Sequence, residues 1–367
     1  MAGIYIHIPF CKQACNYCNF HFSTSLRYKN ELVTALLKEI ELQKSYLDGE
    51  QLDTIYFGGG TPSLLSPENF MQIINRVKEN HLIITDAEVT LEANPDDINE
   101  EILAGWGRSG INRLSIGIQS FFDEDLKWMN RAHNGQQATE SLQSAIQQFN
   151  NITIDLIYGH PLLTDEKWRQ NVQKVIDLKI PHISCYALTV EPKTPLSKQI
   201  KEKIKDDVEP EKQATQFLLL MDWLDAAGYE HYEISNFAKP GFRSRHNSSY
   251  WQQKKYLGLG PSAHSYDGTS RQWNISINNT YITALSKNEI PIEKEILTEV
   301  QKTNEYIMTS LRTIEGLDLN KVESLEFRIK SKKLINDGKM IEQNNFLKLT
   351  REGKLFADGI AAELFIE

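Results

Sequence analysis

The sequence has few cysteines and no long apolar run. Only four of its 367 residues are cysteine, and no apolar stretch approaches the roughly 20 residues that a transmembrane helix needs. The formal net charge of -9 leaves no overall positive surface for nucleic acid or anionic lipid. The first nine residues lack the basic and apolar regions of a signal peptide. We therefore expect a cytoplasmic protein with no nucleic-acid partner and no transmembrane segment.

Three of the four cysteines, Cys11, Cys15 and Cys18, lie within eight positions in the spacing C-x3-C-x2-C. Clustered cysteines in a cytoplasmic protein more often bind metal or react than form disulfides. Three soft sulfur ligands favour an iron–sulfur cluster or zinc, and a missing fourth cysteine leaves one metal position open for a substrate.

Other interpretations of these cysteines stay open at this point. His21 would complete a closed Cys3His zinc site. Cys15 and Cys18 alone would form a thioredoxin-like pair. Chance clustering of buried cysteines is the third alternative. Cys185 lies inside an apolar run and is predicted to be a core residue.

Up to about residue 190, six short β-branched runs alternate with amphipathic helical patterns. The predicted strands are Ile4–Ile8, Thr54–Phe57, Glu88–Glu92, Arg113–Ile118, Ile152–Ile157 and Ile183–Leu188. Connections of helical length predict that the strands are parallel. Six units are too few for a closed eight-stranded barrel, so the sequence predicts an α/β fold with a partial, open (β/α) barrel.

Polar or glycine-rich residues follow the predicted strands, where parallel α/β proteins place their working groups. The second strand leads into Gly58-Gly59-Gly60-Thr61, which has neither P-loop nor Rossmann spacing. Glu92, Gln119 and Asp155 lie at the ends of the next three strands. Each residue alone is typical of an ordinary strand end, but the set predicts a binding site.

The remaining chain predicts two further regions. A long helix from about residue 211 to 227 ends at Gly228, a suitable C-cap residue. After about residue 290, short helices and a strand at 346–349 predict a small, mostly helical, winged-helix-like unit. We therefore predict a barrel domain over residues 1–230, a connecting region over 231–289 and a C-terminal domain over 290–367.

Several motifs together resemble the anaerobic coproporphyrinogen III oxidase family of radical S-adenosylmethionine (SAM) proteins. They are YIHIPFC from Tyr5, GGGTP from Gly58, EANP from Glu92, SIGIQSF from Ser115, NRAH from Asn130 and IDLIYG from Ile154. The resemblance implies a 4Fe–4S cluster held by the three clustered cysteines, with its fourth iron left for SAM. The resemblance also implies that the SAM on the cluster contacts Tyr5, Gly59 and Glu92. Six further residues match positions that hold a second SAM in the oxidases: Tyr17, Gly60, Thr61, Gln119, Arg131 and Asp155.

Two departures distinguish this chain from the oxidases of that family and match its heme-binding branch. Phe20 stands where the oxidases have a further cysteine, and the first strand begins without their N-terminal extension. The run RSRHNSSYW from Arg243 also resembles the branch's heme motif.

The resemblance to the heme-binding branch implies that His246 contacts heme, because an imidazole can ligate heme iron. Arg243 and Arg245 would then meet the propionates, and His264 is a weaker candidate ligand. We therefore predict a heme chaperone that delivers heme to a heme-accepting protein. The alternative is an oxygen-independent coproporphyrinogen III oxidase.

Overall fold

The computed structural model describes all 367 residues and contains 15 strands. The strands are β1 Ala2–Ile8, β2 Leu52–Gly59, β3 Ile83–Ala93, β4 Arg113–Gln119, β5 Ile152–Tyr158, β6 His182–Ala187, β7 Glu230–Glu233, β8 Asn236–Ala238, β9 Tyr256–Leu259, β10 His264–Tyr266, β11 Ser270–Asn274, β12 Ile292–Ile296, β13 Leu317–Asp318, β14 Met340–Gln343 and β15 Phe346–Leu349. All six strands predicted in the first half are present. The strand predicted at 346–349 has the predicted bounds.

Thirteen α-helices connect and cover the strands. They are α1 Lys29–Leu42, α2 Pro67–Asn80, α3 Glu100–Ser109, α4 Asp123–Trp128, α5 Gly135–Gln148, α6 Asp165–Asp177, α7 Pro195–Lys201, α8 Pro210–Ala226, α9 Arg245–Trp251, α10 Asn278–Ser286, α11 Glu299–Leu311, α12 Leu325–Asn336 and α13 Ala357–Glu363. The predicted long helix corresponds to α8, and Gly228 follows it with φ of 74°. No helix combines the length and the apolar character that crossing a membrane requires.

Twelve strands form one open sheet in the order β12-β11-β10-β9-β1-β2-β3-β4-β5-β6-β8-β7. Strands β1 to β6 pair with their neighbours in parallel, and β9 also pairs with β1 in parallel. Short antiparallel strands extend both edges, and the two edge strands do not pair with each other. The predicted partial, open barrel is therefore confirmed.

Burial on both faces explains the apolar sequence of the parallel strands. In β1, Ile4, Ile6 and Ile8 have no exposed surface. Some of the helices that cover the sheet begin at capping side chains: Ser66 and Asn134, for example, form capping boxes at the starts of α2 and α5. Because β1 to β6 pair in parallel, their carboxyl ends all lie on the same side of the sheet.

The molecule has two main apolar cores. The larger comprises 53 buried residues between Ala2 and Leu285, and the smaller comprises 14 buried residues between Ile307 and Leu364. The smaller core lies among α11, α12, α13 and the three-stranded sheet β13-β15-β14. The three-part division of the chain stays a prediction. The separate C-terminal core supports only its second boundary, the one at about residue 290.

Candidate cofactor site at the strand ends

A cavity of about 500 Å³ lies at the carboxyl ends of β1 to β6. Eleven of the residues predicted to hold the cluster and SAM line it: Cys11, Cys15, Tyr17, Cys18, Gly59, Gly60, Thr61, Glu92, Gln119, Arg131 and Asp155. Tyr5 lies outside the lining. Its hydroxyl is 3.1 Å from His7 Nδ1, and its ring stacks on Tyr56. The structure thus brings together residues that are up to about 140 positions apart in the sequence.

The loop that carries Cys11, Cys15 and Cys18, here called the cysteine loop, is held in place by a distant segment of the chain. Asn130, with φ of 59°, donates from Nδ2 to the carbonyl of Ala14 at 2.7 Å. Gln13 Nε2 donates to the Asn130 carbonyl at 2.9 Å, and Asn16 Nδ2 donates to the carbonyl of Trp128 at 2.8 Å. The NRAH motif, which begins at Asn130, therefore positions the cysteine loop and also contributes Arg131 to the cavity.

The three clustered cysteines are half-buried free thiols on the wall of this cavity. Burial raises the pKa of Cys11 to about 11, so its thiol keeps its proton until a metal ion displaces it. Three sulfur donors facing one cavity fit an iron–sulfur cluster with one open position. His21 does not join them, because its Nε2 lies 2.8 Å from Asn278 Oδ1 and the residue is absent from the lining.

Two glycines allow the second strand to pass close to the cysteine loop. Gly59 has φ of 112°, and a Cβ there would lie 2.6 Å from the His7 ring. A Cβ on Gly60 would lie 2.6 Å from the Phe10 carbonyl oxygen and 3.0 Å from Cys11 Sγ. Side chains at these positions would push the loop out of place.

Two carboxyl groups face the cavity with raised pKa values. Burial raises the pKa of Glu92 to about 7 and that of Asp155 to about 6. Glu92 accepts hydrogen bonds from the Tyr56 hydroxyl at 2.7 Å and from the Gly59 amide at 3.2 Å. Ser115 Oγ donates to Asp155 at 3.4 Å. The cavity therefore offers two acceptors for a cationic or amino group of a ligand.

Sequence reasoning missed Asn94, which lines the cavity and orients two predicted residues. Arg131 Nη2 donates to Asn94 Oδ1 at 2.9 Å, and Asn94 Nδ2 donates to the Thr61 hydroxyl at 3.2 Å. Arg131 Nη1 also lies 3.4 Å from Cys15 Sγ. The signal was present, because Asn94 lies in the EANP motif one residue after β3 ends.

Gln119 ends β4 in the left-handed region, with φ of 65°. For a residue other than glycine this conformation costs free energy, and it persists only where the surrounding structure enforces it. The β4–β5 pairing shifts register between Ile116 and Gln119, which turns the end of the strand toward the cavity. Strain at this position accords with a role in ligand binding.

His246 lies away from this cavity, in the barrel interior near the start of β2, and is 1% exposed. Its Nδ1 is 2.7 Å from the Thr54 hydroxyl, its Nε2 is 2.8 Å from the Tyr250 hydroxyl, and its ring stacks on Tyr56. Burial lowers the pKa of His246 to about 3, so the ring is neutral. His264 is exposed and stacks on Trp273.

The two arginines predicted to meet heme propionates are already paired with carboxylates. Arg243 contacts Glu230 and Glu315, each at 2.7 Å. Arg245 contacts Asp53 and Asp86. His246 as a heme ligand stays a prediction, and ligation by either ring nitrogen would break a hydrogen bond.

Comparisons with known proteins show the family to which the chain is similar. The model of the radical SAM superfamily matches residues 5–175. Heme chaperone HemW of Mycobacterium tuberculosis is 33% identical over 368 residues, covering 99% of this chain and 94% of that protein. HemW of Bacillus subtilis is 33% identical over 375 residues, covering 98% of each chain.

A solved structure shares the fold. Coproporphyrinogen III oxidase HemN of Escherichia coli, a radical SAM enzyme, has a TM-score of 0.86 to this chain at 24% identity, covering 99% of this chain and 90% of that one. The similarity extends through the C-terminal unit as well as the barrel.

Proposed function

The chain belongs to the HemW heme chaperone family within the radical SAM superfamily, and we propose from this premise that it binds heme and passes it to a heme-accepting protein. Its cofactors are a 4Fe–4S cluster and SAM. The observation that supports these cofactors is the cavity at the strand ends, which gathers three free cysteines, two carboxyls and a glycine-rich backbone.

We assign the cluster to Cys11, Cys15 and Cys18, one iron to each sulfur. A bound 4Fe–4S cluster supplies one-electron chemistry and an open coordination position. Arg131 Nη1 donates toward Cys15 Sγ at 3.4 Å and so places a positive charge beside the cluster position. Tyr17 lines the same cavity, and with Arg131 it stays a predicted contact of a second SAM.

We assign SAM to the cavity wall that the ends of β2 to β5 form next to these cysteines. In its ionised form, Glu92 accepts hydrogen bonds from the amino group of SAM, and Asp155 presents a second carboxyl. Gly59 and Gly60 let the ligand approach the backbone closely, and Thr61 and Gln119 add polar contacts. Tyr5, outside the lining, supports this wall through its contacts with His7 and Tyr56.

Phe20 is the feature that favours a carrier over an oxidase. It stands where the oxidases have a further cysteine, and it lies at the mouth of the cavity with 70% of its surface exposed. A phenyl ring there offers apolar contact to a planar ligand and no metal ligand.

The cluster assignment predicts the effect of cysteine substitutions. We expect three single variants to lose most of the bound iron and sulfide and the brown absorbance after anaerobic reconstitution: Cys11→Ala, Cys15→Ala and Cys18→Ala. The cluster has only three protein ligands, so each substitution leaves it with two. Cys185→Ala is the matched control: it removes a buried thiol from β6 and should retain the cluster. Full iron content in the loop variants would contradict the assignment.

Two assays separate carrier from oxidase. Titration of the full chain with heme should shift the Soret band, and incubation with a heme-accepting apoprotein should transfer the heme. Anaerobic incubation with coproporphyrinogen III, SAM and a reductant should leave that compound unchanged. Formation of protoporphyrinogen IX with release of carbon dioxide would overturn the carrier-only proposal.

We further propose that the protein acts in the cytoplasm and has no nucleic-acid partner. All four cysteines are free thiols, as is usual in a reducing compartment. The acidic net charge of -9 supports the absence of a nucleic-acid partner.

A further inference from the structure

Strand β4 ends in a tight turn that is centred on Gln119. The backbone amide of Ser120 donates to the Ile118 carbonyl at 2.8 Å, so these three residues form a γ-turn. A γ-turn whose central residue has a positive φ, here 65°, is rare and strained. Such a turn persists only where its surroundings enforce it.

The NRAH motif holds the first side of the turn. His133 Nε2 donates to the Ile118 carbonyl at 3.1 Å, beside the hydrogen bond from the Ser120 amide. Burial lowers the pKa of His133 to about 4, so the ring is neutral and its single proton lies on the nitrogen that faces the carbonyl. The Ile118 carbonyl is thereby fixed by two donors.

Helices α4 and α6 hold the second side of the turn. Ser120 Oγ donates to Asp125 Oδ2 at 2.7 Å and accepts from Asn171 Nδ2 at 3.2 Å. Asn171 Oδ1 accepts from the Phe121 amide at 2.9 Å. Ser120, Asp125 and Asn171 have no exposed surface, so removal of one partner leaves another polar group buried and unpaired. This network therefore resists any rearrangement of the turn.

Gln119 takes no part in the hydrogen bonds that hold the turn, and its side chain lines the cavity at the strand ends. A Cβ on Gly117 would lie 3.1 Å from Gln119 Nε2 and 3.2 Å from Arg131 Nη2. The amide of Gln119 and the guanidinium of Arg131 thus lie on either side of one short backbone segment. An amide beside a guanidinium suits the carboxylate of a bound ligand.

We propose that Ser120, His133 and Asn171 are positioning residues, which hold Gln119 in the γ-turn so that its amide meets the carboxylate of a SAM molecule. The proposal rests on the proposed SAM site. None of the three residues lines the cavity, so their effect on a ligand is indirect. The strain at Gln119 is then the conformational cost of aiming its side chain at the ligand.

Anaerobic equilibrium dialysis of the reconstituted full chain with labelled SAM tests the positioning role. Asn171→Ala and the milder Ser120→Ala should each weaken SAM binding about tenfold, which is the usual effect of losing one hydrogen bond to a charged group. Both variants should keep the full iron content. Ser141→Ala is the matched control, because it removes a buried serine hydroxyl of α5 that bonds only to the Ala138 carbonyl. It should bind SAM normally.

A double substitution shows whether the effect passes through Gln119. Gln119→Ala should itself weaken SAM binding about tenfold, and adding Asn171→Ala should weaken binding no further while still lowering the melting temperature. A merely structural role of Asn171 would instead give independent losses that multiply to about a hundredfold. That result would overturn the positioning role.

A glycine at the centre of the turn tests the strain. Gln119→Gly should melt at a higher temperature than Gln119→Ala, because glycine adopts a positive φ without strain. Equal melting temperatures would contradict the strained turn on which the proposal depends.

The remaining outcomes separate this proposal from the SAM site. Normal SAM binding by both Ser120→Ala and Asn171→Ala, or by Gln119→Ala, would overturn the positioning role and leave the SAM site standing. Absence of SAM binding by the unsubstituted chain would overturn both.

Discussion

At the scale of single residues, the site depends on ionisable groups whose environment changes their protonation. Glu92 is the clearest case, because burial raises its pKa to about 7 while the Tyr56 hydroxyl and Gly59 amide donate to it. A carboxyl titrating near neutrality can be neutral in the free protein and ionise when an amino group arrives.

This pKa shift predicts how stability without cofactors depends on pH. The folded state holds the Glu92 proton up to about pH 7, whereas the unfolded chain releases it near pH 4.3. Glu92 therefore stabilises the fold below about pH 4, and this contribution is lost as pH rises to about 7. In urea denaturation at pH 8, Glu92→Gln should be more stable than the unsubstituted chain by on the order of 2 kcal/mol, with little difference at pH 4.

Glu191→Gln is the control, since it neutralises a carboxyl at the mouth of the same cavity. It should change stability little at either pH. An equal stability difference for Glu92→Gln at pH 4 and pH 8 would refute the raised pKa.

At the scale of elements, single helices connect parts of the sheet that lie far apart in sequence. Helix α1 follows the cysteine loop, and its Glu39 is completely buried. Glu39 accepts from the Gly260 amide at 2.8 Å, from Asn274 Nδ2 at 2.7 Å and from the Tyr281 hydroxyl. Through these contacts α1 connects α10 and the edge of the sheet formed by β9 to β11 with the rest of the barrel.

Removing this carboxyl should be costly because several buried donors would lose their acceptor. We expect Glu39→Ala to lower the free energy of unfolding by about 3–5 kcal/mol. Glu41→Ala on the same helix, which removes the partly exposed ion pair with Arg76, should cost at most about 1 kcal/mol. Chemical denaturation of both variants checks the contrast, and similar losses would argue against a structural role for Glu39.

At the scale of the whole molecule, the barrel and the C-terminal unit meet at Arg312. Its Nε donates to Glu233 Oε1 at 2.9 Å, its Nη1 to Asp358 at 2.7 Å, and its guanidinium lies 5.2 Å from the centre of the Trp251 ring. Glu233 is only 2% exposed. Trp251 lines a cleft of about 290 Å³ between α9 and the C-terminal unit, so the shape of this cleft depends on how the two units are joined.

Arg312→Ala should destabilise the protein by about 3 kcal/mol, because it leaves the buried Glu233 carboxylate without its cation. Arg351→Ala removes an exposed ion pair between the same two units, with Asp222, and should cost at most about 1 kcal/mol. Calorimetry of both variants measures the contrast, and equal destabilisation by the two substitutions would contradict the role of Arg312.

The sequence by itself determined the partial barrel and most of the cofactor site. Strand periodicity and polar residues at the strand ends are local signals, and parallel pairing brings the strand ends to the same side. The cavity therefore contains Cys11, Glu92 and Asp155, as the sequence predicts. The similarity to HemW of Mycobacterium tuberculosis covers 99% of the chain, so the family also follows from the sequence.

Only the tertiary structure decided how distant residues meet. Thr54 and His246 are 192 positions apart, and their hydrogen bond turns the histidine into the barrel. Asn130 holds the cysteine loop across more than 100 positions, and the cleft joins α9 to the C-terminal unit. Such contacts depend on the packing of whole elements against one another, which neither hydrophobic periodicity nor a short motif encodes.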